Sequence, residues 1–266
     1  MEITDAYAHC GLRKYKPVEE LNRVMDRYGV KRTVLVQHMG EFDNSYIEGL
    51  VQKNPERFAG VFLVDLAGAS PLDDARRWTG RGLLRGIRLP VESLSSHAAL
   101  WRWSAQLGLN FILYGAFNRE NLARLASFAG DHPRNAIVLA HLGSPNLKEA
   151  PGYASFQPVL ELAARPNILV QVSGMHSRSR LPYEDTVPVV RLLYRAMGPS
   201  RLLYGSNYPV MGPDEVYGRE IELLREARLG IPGEAVPAVM NDNAVRVWFG
   251  RGRPRAGLPL WCAAGG

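Results

Sequence analysis

Residues 98–140, AALWRWSAQLGLNFILYGAFNRENLARLASFAGDHPRNAIVLA, hold the pattern that decides the fold. Ala98 to Leu107 spaces its apolar side chains as one face of a helix, and Gly108 closes it. Asn110 to Tyr114 is a short apolar run of strand character. Asn118 then stands as an N-cap before a second helical run to Phe128, and Ala136 to Ala140 returns to a strand. Helix, strand, helix and strand joined by short links are successive βα units, whose strands lie parallel.

The same alternation extends both ways. Strands are expected at Glu2 to Asp5, Arg32 to Gln37, Phe58 to Val64, Leu84 to Leu89, Asn110 to Tyr114, Ala136 to Ala140, Asn167 to Val172 and Arg201 to Tyr204. Further helical patterns fall at Val18 to Tyr28, Ser45 to Lys53, Val187 to Met197 and Asp214 to Arg228, with Pro17 at one start and Gly29 and Gly198 at two ends. Eight such units in about 250 residues predict an α/β protein of the (β/α)8 TIM-barrel type, a single domain over residues 1–250. A doubly wound sheet is the alternative, but no Gly-x-Gly-x-x-Gly follows the first strand. Residues 251–266, rich in Gly, Arg and Pro, are expected to form an extended C-terminal tail that Trp261 could anchor.

Composition narrows the function. The 266 residues are 46% hydrophobic and 22% charged, within the range of a globular protein with a sizeable core. No stretch reaches the roughly 18 apolar residues of a membrane span. Met1 to Ile3 enters a strand without a basic, then apolar, leader, so a cytoplasmic location is expected. Cys10 and Cys262 are the two cysteines and match no metal spacing. The net charge of +6 comes from scattered arginines without a basic and aromatic platform, which argues against nucleic-acid binding and for a small, anionic partner. A homo-oligomer is left open.

In a barrel of this kind the chemistry sits at the C-terminal strand ends. Those ends carry Tyr7 and His9 on strand 1, Gln37 and His38 on strand 2, Arg88 on strand 4 and Tyr114 on strand 5. Strand 6 ends at His141, strand 7 at Ser173 with His176 beyond, and strand 8 leads to Asn207 and Tyr208. Histidines, an arginine and tyrosines converging on one mouth exceed what a structural surface needs. The plain alternative for each is packing: Tyr7 as a filling aromatic, Arg88 in an ion pair, Asn207 holding its loop, Arg178 and Arg180 on a solvated one. Cys10, next to His9, faces away by strand alternation and has no partner to activate a thiolate.

With these positions in place, the chain resembles the amidohydrolase superfamily, in its amidohydrolase-related branch of hydrolases, lactonases and decarboxylases. The resemblance runs through Asp5 to His9, Asp43 to Tyr46, Gly86-Ile87-Arg88, Val138 to Gly143, Val172-Ser173-Gly174, Arg201 to Pro209 and Asn243 to Trp248. It implies His-x-His on strand 1, His on strand 6, and on strand 8 an Asp that binds metal and serves as base. Here His9 and His141 match that pattern, while Tyr7 replaces the first His and Asn207 the Asp. Both changes weaken a metal site, and Asn207 cannot take up a proton near neutral pH. Lactonases resembling 2-pyrone-4,6-dicarboxylate lactonase, understood to open a ring ester without metal, are a precedent, although they are expected to keep the Asp.

The expected function is an amidohydrolase-like hydrolase of a small carbonyl compound, a lactone or ester with a carboxylate, without a tightly bound catalytic metal. His9, His141 and Arg88 polarise the carbonyl, His141 or His38 activates water, and Tyr7, Asn207, Tyr114 and His176 contact substrate. No cofactor is expected; a weakly held divalent ion such as zinc would fall on His9 and His141. The alternatives are a metal-assisted decarboxylase or other lyase of the same branch, and a small-molecule-binding barrel that has lost turnover.

Overall fold

The computed structural model describes residues 1–250, so the expected tail at 251–266 lies outside the described residues. Eight strands form one parallel sheet in chain order: β1 (Thr4–Ala8), β2 (Arg32–Val36), β3 (Phe58–Phe62), β4 (Leu84–Pro90), β5 (Asn110–Tyr114), β6 (Ile137–Leu139), β7 (Ile168–Val172) and β8 (Leu202–Tyr204). The segment after β8 closes the ring against β1. Ala8 bridges to Tyr208, the His9 N–H donates to Tyr208 O at 2.8 Å, and the Asn207 N–H donates to Tyr7 O at 2.8 Å. This is a (β/α)8 barrel.

Helices α1 (Val18–Arg27), α2 (Ser45–Lys53), α3 (Pro71–Thr79), α4 (Ala98–Gln106), α5 (Arg119–Asp131), α6 (Gln157–Glu161), α7 (Val187–Met197) and α8 (Asp214–Arg225) follow the strands in turn. Asn118 caps α5 by accepting the Asn121 N–H at 2.9 Å, as its residue type predicts. Alternation along each strand separates two cores. Leu35, Phe62, Ile87, Phe111, Leu139 and Leu202 face outward to the helices, whereas Val34, Val61, Ile112, Val138, Leu169 and Leu203 fill the barrel. Trp248 on the closing helical segment joins the inner core and lies against Gly86, where an added Cβ would come within 2.8 Å of its ring. No helix among the described residues is long and apolar enough to cross a membrane.

The strand set matches the sequence expectation with one informative shift. β1 runs to Ala8 rather than stopping at Asp5, because Asp5 is a buried tie and not a strand-ending polar residue. Its carboxylate accepts the N–H groups of Tyr7 (3.0 Å) and Ser206 (2.9 Å) and the hydroxyls of Ser206 (2.6 Å) and Tyr217 (3.0 Å). A fully bonded carboxylate can be enclosed, so the strand continues and delivers Tyr7 from inside it.

Candidate active site

The Asp5 tie locks β1 to the turn after β8, and that turn sets two site residues. Gly205 passes so close to Tyr7 that a Cβ there would lie 2.7 Å from Tyr7 Cβ. Asn207 takes a left-handed backbone at φ 60°, and its amide nitrogen is 3.5 Å from His176 Nε2. Across the barrel, His141, Leu142, Gly143 and Ser144 all have positive φ, between 54° and 68°. Each non-glycine residue in that region costs about 1–2 kcal/mol, so the turn holds His141 at an energetic expense of the kind concentrated at functional sites. Ser173 secures the imidazole: its hydroxyl accepts the His141 N–H at 3.2 Å and lies 3.1 Å from Nδ1.

Tyr7 stands between the two histidines, its ring centroid 5.0 Å from that of His9 and 5.0 Å from that of His141, both edge-on. It is wholly buried, and its hydroxyl has no hydrogen-bond partner among the described residues. Arg88 enters from β4 with its guanidinium carbon 5.7 Å from the Tyr7 ring centre and 4.9 Å from that of Tyr114. It is 7% exposed, donates one hydrogen bond to Gln37 O at 2.9 Å, leaves Nε unbonded and forms no salt bridge with any described residue. A buried guanidinium without an anion is an unfilled demand for one.

His9 is oriented by a contact that also fixes its proton. Nδ1 lies 2.6 Å from Val36 O, and a carbonyl only accepts, so Nδ1 carries the hydrogen and Nε2 keeps a lone pair. Burial, reinforced by Arg88, holds the His9 imidazole well below its usual range and holds His141 down to about 3. Burial likewise lowers His38 and His176. The mouth thus places neutral imidazoles around guanidinium groups, for Arg178 on the loop after β7 also acts on His141 and His176 and has an unbonded Nε. Burial pushes the Cys10 thiol up to about 12, which keeps it out of nucleophilic chemistry.

The site therefore gathers His9, His141, Arg88, Tyr7 and Tyr114 directly, with His176 joined through Asn207. His38 is joined through Tyr15, whose ring stacks on His9 (centroids 5.2 Å, 17°) and meets His38 edge-on (4.8 Å, 86°). Tyr15 escaped the sequence reading because it sits in the loop after β1, where no periodicity indicates side-chain direction. No group of three or more His, Cys, Asp or Glu placed to hold a metal occurs among the described residues.

A parallel eight-stranded barrel with catalytic-type side chains at the C-terminal strand ends defines an enzyme of the TIM-barrel class. The chain belongs to the amidohydrolase family, whose profile matches residues 2–250, and is a hydrolase of that family. It is 28% identical over 206 residues to an L-fucono-1,5-lactonase of Burkholderia ambifaria, covering 72% of this chain and 69% of that one. Among solved structures, a putative 2-pyrone-4,6-dicarboxylic acid hydrolase from Pseudomonas putida superposes with a TM-score of 0.75 at 20% identity, over 92% of this chain and 96% of the other. An amidohydrolase from Burkholderia multivorans, crystallised with bound zinc, gives 0.74 at 19% identity, over 93% and 99%.

Proposed function

We propose that the protein is a lactonase that opens a small carboxylate-bearing lactone without a tightly bound catalytic metal. The observation that carries this reading is Arg88, a buried guanidinium with no counter-ion among the described residues, beside two neutral imidazoles. Water adds to the ring carbonyl and gives a proton to His9 Nε2, the nitrogen left with a lone pair. Charge developing on the carbonyl oxygen is stabilised by Arg88, with His141 as a second polar contact. Collapse breaks the ring C–O bond, and the leaving oxygen takes the proton back from His9, releasing a hydroxy acid. Tyr7, Asn207, Tyr114 and His176 supply polar and aromatic contacts, His38 packs edge-on against Tyr15, and Arg178 attracts the carboxylate.

The donor set does not suit a divalent ion. The Tyr7 ring lies between His9 and His141, burial raises its phenol above the usual range, and Arg88 adds positive charge. Asn207 offers a neutral amide where a carboxylate would balance the ion. Similarity to an L-fucono-1,5-lactonase supports the lactone substrate class, and the protein is proposed to act in the cytoplasm. A panel of small lactones assayed by acid release tests the reading, with aromatic carboxylic acids assayed for carbon dioxide alongside. Acid release from lactones is expected; carbon dioxide with no lactone opening would replace this reading with a decarboxylase.

A further inference from the structure

The inner groups are almost enclosed. Tyr7 is 0% exposed, His9 3%, His38 4%, and Arg88 and Asn207 7% each. At most a small part of each side chain meets solvent in this conformation. Tyr15 covers His9 ring on ring and closes against His38, and it acts electrostatically on Tyr7 while Arg88 acts on it. Its own ring is only half-buried, so solvent reaches its outer side.

The loop that carries Tyr15 is built as a separate flap. The Gly11 N–H donates to Lys16 O at 3.0 Å, which closes residues 11–16 into a small loop between the buried Gly11 and Pro17, whose ring limits its φ. Two side-chain ties hold it down. Lys14 Nζ donates to Met39 O at 3.1 Å on the loop after β2. Lys16 Nζ meets Asp214 at 3.0 Å, where Arg23 (2.7 Å) and the Tyr208 hydroxyl (3.3 Å) also converge, and it lies 5.4 Å from the Tyr208 ring centre. Both ties use solvent-accessible ammonium groups, which are easily exchanged for water. A loop with an enclosed centre beneath it, an aromatic plug and ties of this kind is suited to opening without disturbing the barrel.

We propose that Tyr15 is the gating residue of this site: the 11–16 loop must lift its ring off His9 before a substrate reaches His9 Nε2 and Arg88, and the Lys16–Asp214 contact is the latch. This builds on the assignment of the mouth as the active site, but its test does not depend on any substrate being turned over.

Site-resolved carbethoxylation by diethyl pyrocarbonate, read by mass spectrometry on the full chain, measures access to the His9 lone pair directly. Tyr15→Ala is expected to speed His9 labelling by roughly tenfold, the factor that loss of about 1.4 kcal/mol of closure gives. Asp214→Asn, which keeps the ring but loosens the latch, is expected to give a smaller acceleration, and Tyr15→Phe the wild-type rate. His132, at the end of α5 and away from the mouth, serves as the internal reference. Unchanged His9 labelling in Tyr15→Ala overturns the gate, as does a parallel rise at His132, which would mean general loosening. Acceleration confined to His9 supports the gate even if every lactone proves inert.

Discussion

Arg88 separates a structural from a functional account because the two make opposite demands on it. A structural arginine is balanced by an acid or spends its donors on backbone carbonyls, as Arg201 does on those of Met197, Ala163, Arg165 and Ala196; among the described residues Arg88 donates to Gln37 O, leaves Nε unbonded and otherwise meets two aromatic faces. Arg88→Met is therefore expected to lower kcat/KM on the lactone by about a hundredfold or more while leaving Tm unchanged or higher, since an uncompensated guanidinium is removed. A marked fall in Tm with activity retained would contradict the role. Arg88 and His9 were legible in the sequence because two-residue alternation on a strand leaves little freedom in where a side chain points. The tautomer of His9 was not, since it depends on Val36 O brought in from β2. Nor was Tyr15, whose direction is set by a loop tied to Asp214, a residue distant in sequence.

Among the elements, the barrel strands were readable because short apolar runs between turn residues have few alternatives. The boundary of β1 was not, for Asp5 reads as a strand end until its four donors are assembled from β1 itself, the Ser206 turn and α8. Helix α3 escaped notice because most of PLDDARRWT is polar and only Ala75 is buried, leaving little apolar periodicity. The turns after β6 and β7 depend on one another. Gly174 has φ +65°, and a Cβ there would stand 2.6 Å from His141 Nδ1. Gly174→Ala is expected to cost about 1–2 kcal/mol from the left-handed backbone alone and to displace His141 as well. Thermal melts together with kcat should show a loss of turnover larger than the loss of stability predicts. Wild-type turnover in the folded variant would show that the position of His141 does not matter.

For the molecule as a whole, stability has opposing acid and alkaline limits. Burial raises Glu220 to about 8, with one oxygen accepting from Tyr183 and the other unbonded near Asp5 and Tyr204. A folded pKa above the unfolded value means that this contribution is present below the ordinary carboxylate range and is lost as pH rises through 8. His141 has the opposite sign: lowered to about 3, it contributes above the ordinary imidazole range and loses that contribution as pH falls toward 3. Glu220→Gln is accordingly expected to reduce the drop in Tm between pH 6 and pH 9, measured by calorimetry. An equal drop in both proteins would remove Glu220 from the alkaline limit. The barrel itself was legible from the βα repeat, because eight parallel strands with short links have few ways to bury both faces.

The central claim is that Arg88 and neutral imidazoles, rather than a metal, activate the lactone carbonyl. Elemental analysis and lactone turnover measured on the same preparation, before and after exhaustive chelation, test it most directly. Less than about a tenth of a metal per chain with unchanged kcat is expected, as a site of neutral donors beside a guanidinium binds divalent ions poorly. A stoichiometric metal whose removal abolishes turnover, and whose return restores it, would contradict the account.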